Sequence, residues 1–246
     1  MNRNIRIFPD KRELVIATAE MIVDCIGEAI RKRGGCTIAL AGGSTPRDVY
    51  ALLATEPYRN RVCWTDVSLF WGDERTVPPD DPESNYRMVR QALIDIVDIP
   101  EKNVHRIRGE AEPRQAANEY EKLLYRHFNE ELPRFDFVLL GLGDDGHTAS
   151  LFPGTEVIEE YGRLVAAVFV PKLSTWRVTL TLPVLNAARE IMFLVSGDAK
   201  SEMVKRIMGN HKKPDKKLPA TLVIPQYGSI SWMLDTEAAS LLDEGV

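Results

Sequence analysis

The chain alternates between short runs of consecutive apolar residues and longer stretches in which apolar positions recur every three or four residues. A short strand at 5–8 precedes a helix over 11–33, whose Leu14, Ala17, Met21, Ile22, Ile26, Ala29 and Ile30 share one face. Asp10 can cap this helix, and Gly34-Gly35 ends it because glycine accepts the left-handed conformation wanted there. Residues 36–41, 67–71, 135–140 and 190–195 are almost uninterrupted apolar runs, the pattern of parallel strands buried on both faces. The pattern further predicts a helix from a Ser84 cap to about 97, a helix over 113–131 closed by Pro133, strands at 104–107, 164–170, 177–182 and 230–234, and a C-terminal helix. Strands alternating with helices define an α/β fold on a mostly parallel sheet. With no internal repeat, low-complexity linker or composition break, residues 1–246 are expected to form a single domain.

Open α/β sheets bind ligands in the crevice outside the carboxyl ends of their strands, so the residues that follow each apolar run carry most of the chemical information. The run 36–41 empties into Gly42-Gly43-Ser44-Thr45. Thr45 suits an N-cap, Pro46 the first helical position and Asp48 a capping box. Backbone amides and hydroxyls at such a helix start can hold a phosphate, although a turn that merely needs glycine reads equally well. The run 67–71 delivers Gly72-Asp73-Glu74-Arg75 and then a proline-rich loop; Arg75 points into the same crevice, the alternative being a surface ion pair with Asp73 or Glu74. The run 135–140 stops at Gly141-Leu142-Gly143-Asp144-Asp145-Gly146 and presents His147, the expected catalytic turn.

That turn matches the G-x-G-x-x-G dinucleotide fingerprint, but its context is wrong. Two aspartates would repel a pyrophosphate, and the strand 164–170 ends in Pro171-Lys172 where an acid should hold a ribose, so no NAD or FAD is expected. Lys200 falls in the first turn of a helix, where a cation opposes the dipole; an anion in the crevice, shared with Arg177 and Gly43, would account for it as well as simple solvent exposure does.

Charge and composition narrow the classes. A net charge of −5 and a pI near 5.5 argue against nonspecific nucleic-acid binding, which rests on basic surface. The basic stretch 205–217 is expected to be a solvated loop. Neither a membrane span nor a signal peptide is visible, which predicts a cytoplasmic protein with no membrane partner. Cys25, Cys36 and Cys63 have neither disulfide nor zinc spacing and are expected to be small core residues. His105, His127 and His211 lack the polar surroundings of His147 and are expected at the surface or in packing.

Five segments, IALAGGSTP (38–46), FWGDERTVP with SNY (70–86), FDFVLLGLGDDGHTASLFPG (135–154), RVTLTLPVLNAAREIMFLVSGDAK (177–200) and LPATLV (218–223), together resemble the 6-phosphogluconolactonase family. The resemblance implies a three-layer α/β sandwich whose mostly parallel central sheet is flanked by helices, as in the glucosamine-6-phosphate deaminases and isomerases. It implies hydrolysis of 6-phosphoglucono-1,5-lactone to 6-phosphogluconate in the pentose phosphate pathway, a small-molecule substrate and no required metal or cofactor, and it is compatible with a monomer. It makes His147 the group that activates water, with Asp145 beside it. Gly43, Ser44 and Thr45 would take the phosphate, with Arg177 and Lys200 as cationic partners, and Arg75 would contact substrate. Residues 172–176 lack the prolines common before the family's arginine, and Ser201 stands where alanine is usual.

The chemistry fits. Opening a lactone needs a base for the attacking water and then an acid for the ring oxygen, and one imidazole, with an unperturbed pKa of about 6.5, can serve as both. Asp145 or Asp144 could orient the ring, and Arg75 or backbone amides could stabilise the oxyanion. Two alternatives remain. A deaminase or isomerase on the same scaffold would carry tyrosine where Arg75 stands and glutamate where Phe152 stands. A non-catalytic sugar-phosphate sensor would dispense with the histidine turn.

Overall fold

The computed structural model describes residues 4–209 and 214–242; His211, Lys212 and Lys213 of the basic stretch lie outside the described residues. The first half of the chain folds as β1 (Asn4–Phe8), α1 (Lys11–Arg33), β2 (Cys36–Leu40), α2 (Ser44–Leu53), α3 (Tyr58–Arg61), β3 (Val67–Trp71), β4 (Asp73–Arg75), α4 (Asn85–Val89), β5 (Val104–His105) and α5 (Pro113–His127). The second half adds β6 (Phe137–Leu140), β7 (Val165–Val170), β8 (Thr175–Leu180), α6 (Leu182–Ala187), β9 (Glu190–Val195), α7 (Ser201–Gly209) and β10 (Ser229–Asp235).

Among the described residues, seven strands form one sheet in the order β1-β10-β9-β6-β2-β3-β5, every neighbouring pair parallel. All four residues of β6 are buried, as its unbroken apolar run requires. Helix α1 packs on α2 and on β1, β2 and β10; its ends are fixed by Asp10, which accepts from the Glu13 N–H at 2.9 Å, and by Gly34 at φ 78°. Phe193 and Trp232, both buried, stack at 4.0 Å between β9 and β10. No described helix is long and apolar enough to cross a membrane.

Several expectations are corrected. β4, β8 and β7 form a separate antiparallel sheet against which α5 packs; β4 is three residues long, too short to show a periodicity. The predicted strand at 104–107 pairs over Val104–His105 alone. The helix predicted to 97 is α4 continued by a π-helical segment, Arg90–Ile94, and the helix predicted to 131 stops at His127, before Asn129 and Glu130 turn left-handed. In place of a C-terminal helix, residues 236–242 form turns, because Thr236 bonds back to Phe8 and Pro9 while the Ala238 N–H is taken by Asp235. Helix α2 starts at Ser44 with Gly43, not Thr45, as its N-cap, and Asp48 pairs with Lys11 and Arg47 instead of closing a capping box. Of the cysteines, Cys36 is buried, Cys25 half-buried and Cys63 exposed in a loop.

His105 and His127 pack on Phe70, with ring centroids 4.5 and 4.9 Å from it and 5.0 Å apart. Burial, with the neighbouring His127, pushes the His105 imidazole down to about 4, and burial lowers His127 as well. The unfolded chain therefore binds protons near pH 6.5 that the folded protein refuses, so this pair favours folding above that pH and the contribution is lost as pH falls toward 4. Urea unfolding at pH 7 and pH 5 should show lower stability at pH 5, and the double substitution His105→Phe, His127→Phe should flatten that dependence.

Candidate active site

The carboxyl ends of β2, β3, β6 and β9 open into one cavity of about 340 Å³. Its wall includes Gly42 and Gly43 after β2, Asp73 and Arg75 after β3, Gly141 to Asp144 and His147 after β6, and Lys200 after β9; Arg177 enters from β8. Two of the strand ends are held by tyrosines. The Tyr50 hydroxyl donates to the Ala41 C=O and accepts from its N–H at 2.9 and 3.0 Å, and Tyr120 does the same for Trp71 at 3.1 and 2.9 Å. Burial holds both phenols above their usual range, so they stay neutral and keep both roles.

The histidine turn is closed by its own backbone. Gly143 N–H donates to the His147 C=O at 2.8 Å, and the Thr148 hydroxyl to the Gly141 C=O at 2.8 Å. At Gly143 any Cβ would overlap the His147 ring, so only glycine lets the imidazole lie against the turn. Phe152 stacks on the ring at 4.0 Å. The residues of LPATLV do not line the cavity; Ala220 N–H holds the Gly146 C=O at 3.0 Å and props the turn from behind.

Asp145 Oδ1 lies 2.6 Å from His147 Nδ1. Burial raises the Asp145 carboxyl, but hydrogen bonds from His147 and Lys172 outweigh it and leave the group below its ordinary range, ionised at neutral pH. An ionised carboxylate can only accept, so the proton of the neutral ring sits on Nδ1 and Nε2 is left as the acceptor. Asp144, Asp145 and His147 have ligand atoms within 4.8 Å of one another, the spacing of a metal-binding group, yet the cation they face is an ammonium: Lys172 Nζ stands 3.3 Å from Asp144 and 3.1 Å from Asp145.

Arg75 and Arg177 oppose each other across β4 and β8. Burial, with Arg75 beside it, lowers the Arg177 guanidinium from its usual range. Two adjoining guanidiniums at a cavity wall mark a place where an anion is favoured. The Arg75 guanidinium forms no ion pair with Asp73 or Glu74; its Nη1 donates to the Glu83 C=O at 2.5 Å. Lys200 ends a 3-10 turn, Asp198–Lys200, just ahead of α7 and not inside it. Ser44 and Thr45 stand behind Gly43 and are not part of the cavity wall, and Asp145 acts from behind His147.

The model of the glucosamine-6-phosphate isomerases/6-phosphogluconolactonase family matches residues 9–232. The chain belongs to that family. It is 40% identical to the 6-phosphogluconolactonase of Synechocystis sp., over 98% of this chain and 99% of that one, and 38% identical to that of Homo sapiens, over 97% and 93%. The solved structure of 6-phosphogluconolactonase from Trypanosoma brucei superposes with a TM-score of 0.82 at 31% identity, covering 98% of this chain and 99% of that one.

Within this family member, three acids and an amide that the sequence reading passed over hold the site together. Glu74, buried, accepts from the Arg75, Asn85 and Tyr86 N–H groups at 2.7, 2.8 and 2.8 Å and from the Ser84 hydroxyl at 3.1 Å. Burial raises its carboxyl although these backbone donors pull it down. Asn85, which lines the cavity, donates to the Asp73 C=O at 3.0 Å and lies so close to Gly42 that no Cβ fits there. Asp73 accepts from the Ser150 hydroxyl at 2.6 Å, tying the β3 end to the histidine turn, and Asp235 accepts from Gly197 N–H at 3.0 Å and fixes the turn that carries Lys200. A chemical signal was available for Glu74 alone, an acid one residue before Arg75 and ahead of Ser84 at a helix start. Glu74→Gln would turn an amide donor toward N–H groups that need an acceptor; urea unfolding should show a loss of about 1–3 kcal/mol.

Proposed function

We propose that this protein hydrolyses 6-phospho-D-glucono-1,5-lactone to 6-phosphogluconate, the lactonase step of the pentose phosphate pathway, in the cytoplasm, with the whole chain acting as one unit of its family. The observation that carries the reading is a single cavity wall shared by His147, whose acceptor nitrogen is freed by Asp145, and the cations Arg75, Arg177 and Lys200. The names of the full-length relatives support the same substrate.

In this reading the phosphate lies at Gly43 and the start of α2, Ser44 and Thr45 contributing the helix terminus, with Arg177 and Lys200 supplying charge. His147 Nε2 takes a proton from water as the oxygen attacks C1. The carbonyl electrons move onto oxygen, where Arg75 and backbone N–H groups on the wall stabilise the oxyanion. Collapse breaks the bond from C1 to the ring oxygen, and the imidazolium returns its proton to that leaving oxygen, so one water is consumed and the ring opens as a carboxylic acid. A base so placed contributes roughly 10² to 10⁴ in rate. Phe152, stacked on the ring where a deaminase would carry an acid, favours this reading over ammonia release.

Freshly prepared lactone should release acid faster with the protein than without it, followed by pH-stat. His147→Ala should lose most of that gain, about 10² or more. Ammonia release from glucosamine 6-phosphate, or phosphosugar binding with no turnover, would replace the lactonase reading.

A further inference from the structure

The His147 ring is fixed on three sides: Phe152 stacks on it, the bare Gly143 backbone lies against it, and Asp145 binds its Nδ1. The last contact depends on a carboxylate that must itself be held. Asp145 Oδ1 is engaged by the His147 ring at 2.6 Å and the His147 N–H at 3.2 Å, while Oδ2 faces Lys172 Nζ at 3.1 Å, its one partner among the described residues. Lys172 comes from a distant element, the turn Pro171–Leu173 that closes β7 onto β8, and the next residue along, Leu173, lines the cavity. That turn ends on Ser174 at φ 49°, a conformation closed to proline, whose ring fixes φ near −65°.

We propose that Lys172 is a positioning residue of the lactone-opening reaction, gripping Asp145 by its far oxygen so that the near oxygen keeps the His147 ring turned toward substrate. The inference rests on the lactonase reading for its kinetic consequence, not for its geometry. The charges facing His147 are Asp144 and Asp145 on its own turn, Lys172 on the hairpin, Lys200 ahead of α7, and Asp73, Arg75 and Arg177 on the cavity wall. Two neighbouring carboxylates would otherwise stabilise a protonated ring, which cannot act as base, and would repel an incoming phosphate. Lys172 bridges both and opposes that effect. It is half exposed, so solvent screens the interaction and the effect is moderate.

The test uses the intact protein and the variants Lys172→Met and Lys172→Arg, with His147→Ala as reference. Lys172→Met should lower kcat up to about fivefold with little change in KM, and should move the acidic limb of the kcat/KM profile to higher pH by a few tenths of a unit. Lys172→Arg, which keeps the charge, should restore both. Ring NMR titration of His147 without substrate should show its midpoint moved upward in Lys172→Met, a readout that needs no turnover. An unchanged titration overturns the inference whatever the activity, and a loss confined to KM overturns it by making Lys172 a substrate contact. A wild-type protein that fails to hydrolyse the lactone overturns the function instead, and leaves the ring titration to decide on Lys172.

Discussion

Every strand of the large sheet runs in one direction, and the rest of the structure depends on that constraint. A parallel ladder sends each strand-to-helix turn out at the same edge, so residues as far apart as Gly43, Arg75, His147 and Lys200 meet without any need to be neighbours in the chain. At that edge side chains supply hydrogen bonds to the last peptide groups: Tyr50 to Ala41, Tyr120 to Trp71, Glu74 to the peptides around Arg75 and Asn85, and Asp235 to Gly197. Each of these groups is buried, so each satisfied hydrogen bond also fixes where a cavity residue stands.

The electrostatics follow from the same geometry. The crevice gathers the cations Arg75, Arg177 and Lys200 and the histidine turn with Asp144 around one cavity, so a substrate with an anionic end and a carbonyl end meets both kinds of group there. The small antiparallel sheet carries Arg177 on β8 beside Arg75 on β4, and Lys172 on the connection between β7 and β8. One hairpin therefore contributes both to the arginine pair and to the histidine turn.

The parallel core was legible because its strands are continuous apolar runs bounded by glycine, a pattern set by burial on both faces. His147, Arg75 and Lys200 were legible as crevice residues because each follows a readable strand, whereas Arg177 begins one and was reached as a partner for an anion and through the family resemblance. What could not be read depends on contacts between distant residues. β4 exists only because Asp73 to Arg75 find β8, and Thr45 loses the cap position because Gly43, at φ 105°, starts the helix two residues earlier than propensity favours. Asp235 looks like a surface acid in the sequence, and for Glu74 the sequence hints only at the helix start after Ser84; the fold reveals that backbone donors converge on both. The pairing of Lys172 with Asp145 spans 27 residues and two elements, beyond any local pattern.

Gly143 and Gly42 differ from the other cavity residues in what they permit. At both positions a methyl group would occupy space already filled by the His147 ring or the Asn85 amide. A library that randomised the cavity for new lactones would thus return glycine at these two positions, whatever the selection. Diversity is better placed at Leu173 on the hairpin tip, which lines the cavity, is exposed, and is not part of the hold that Lys172 has on Asp145.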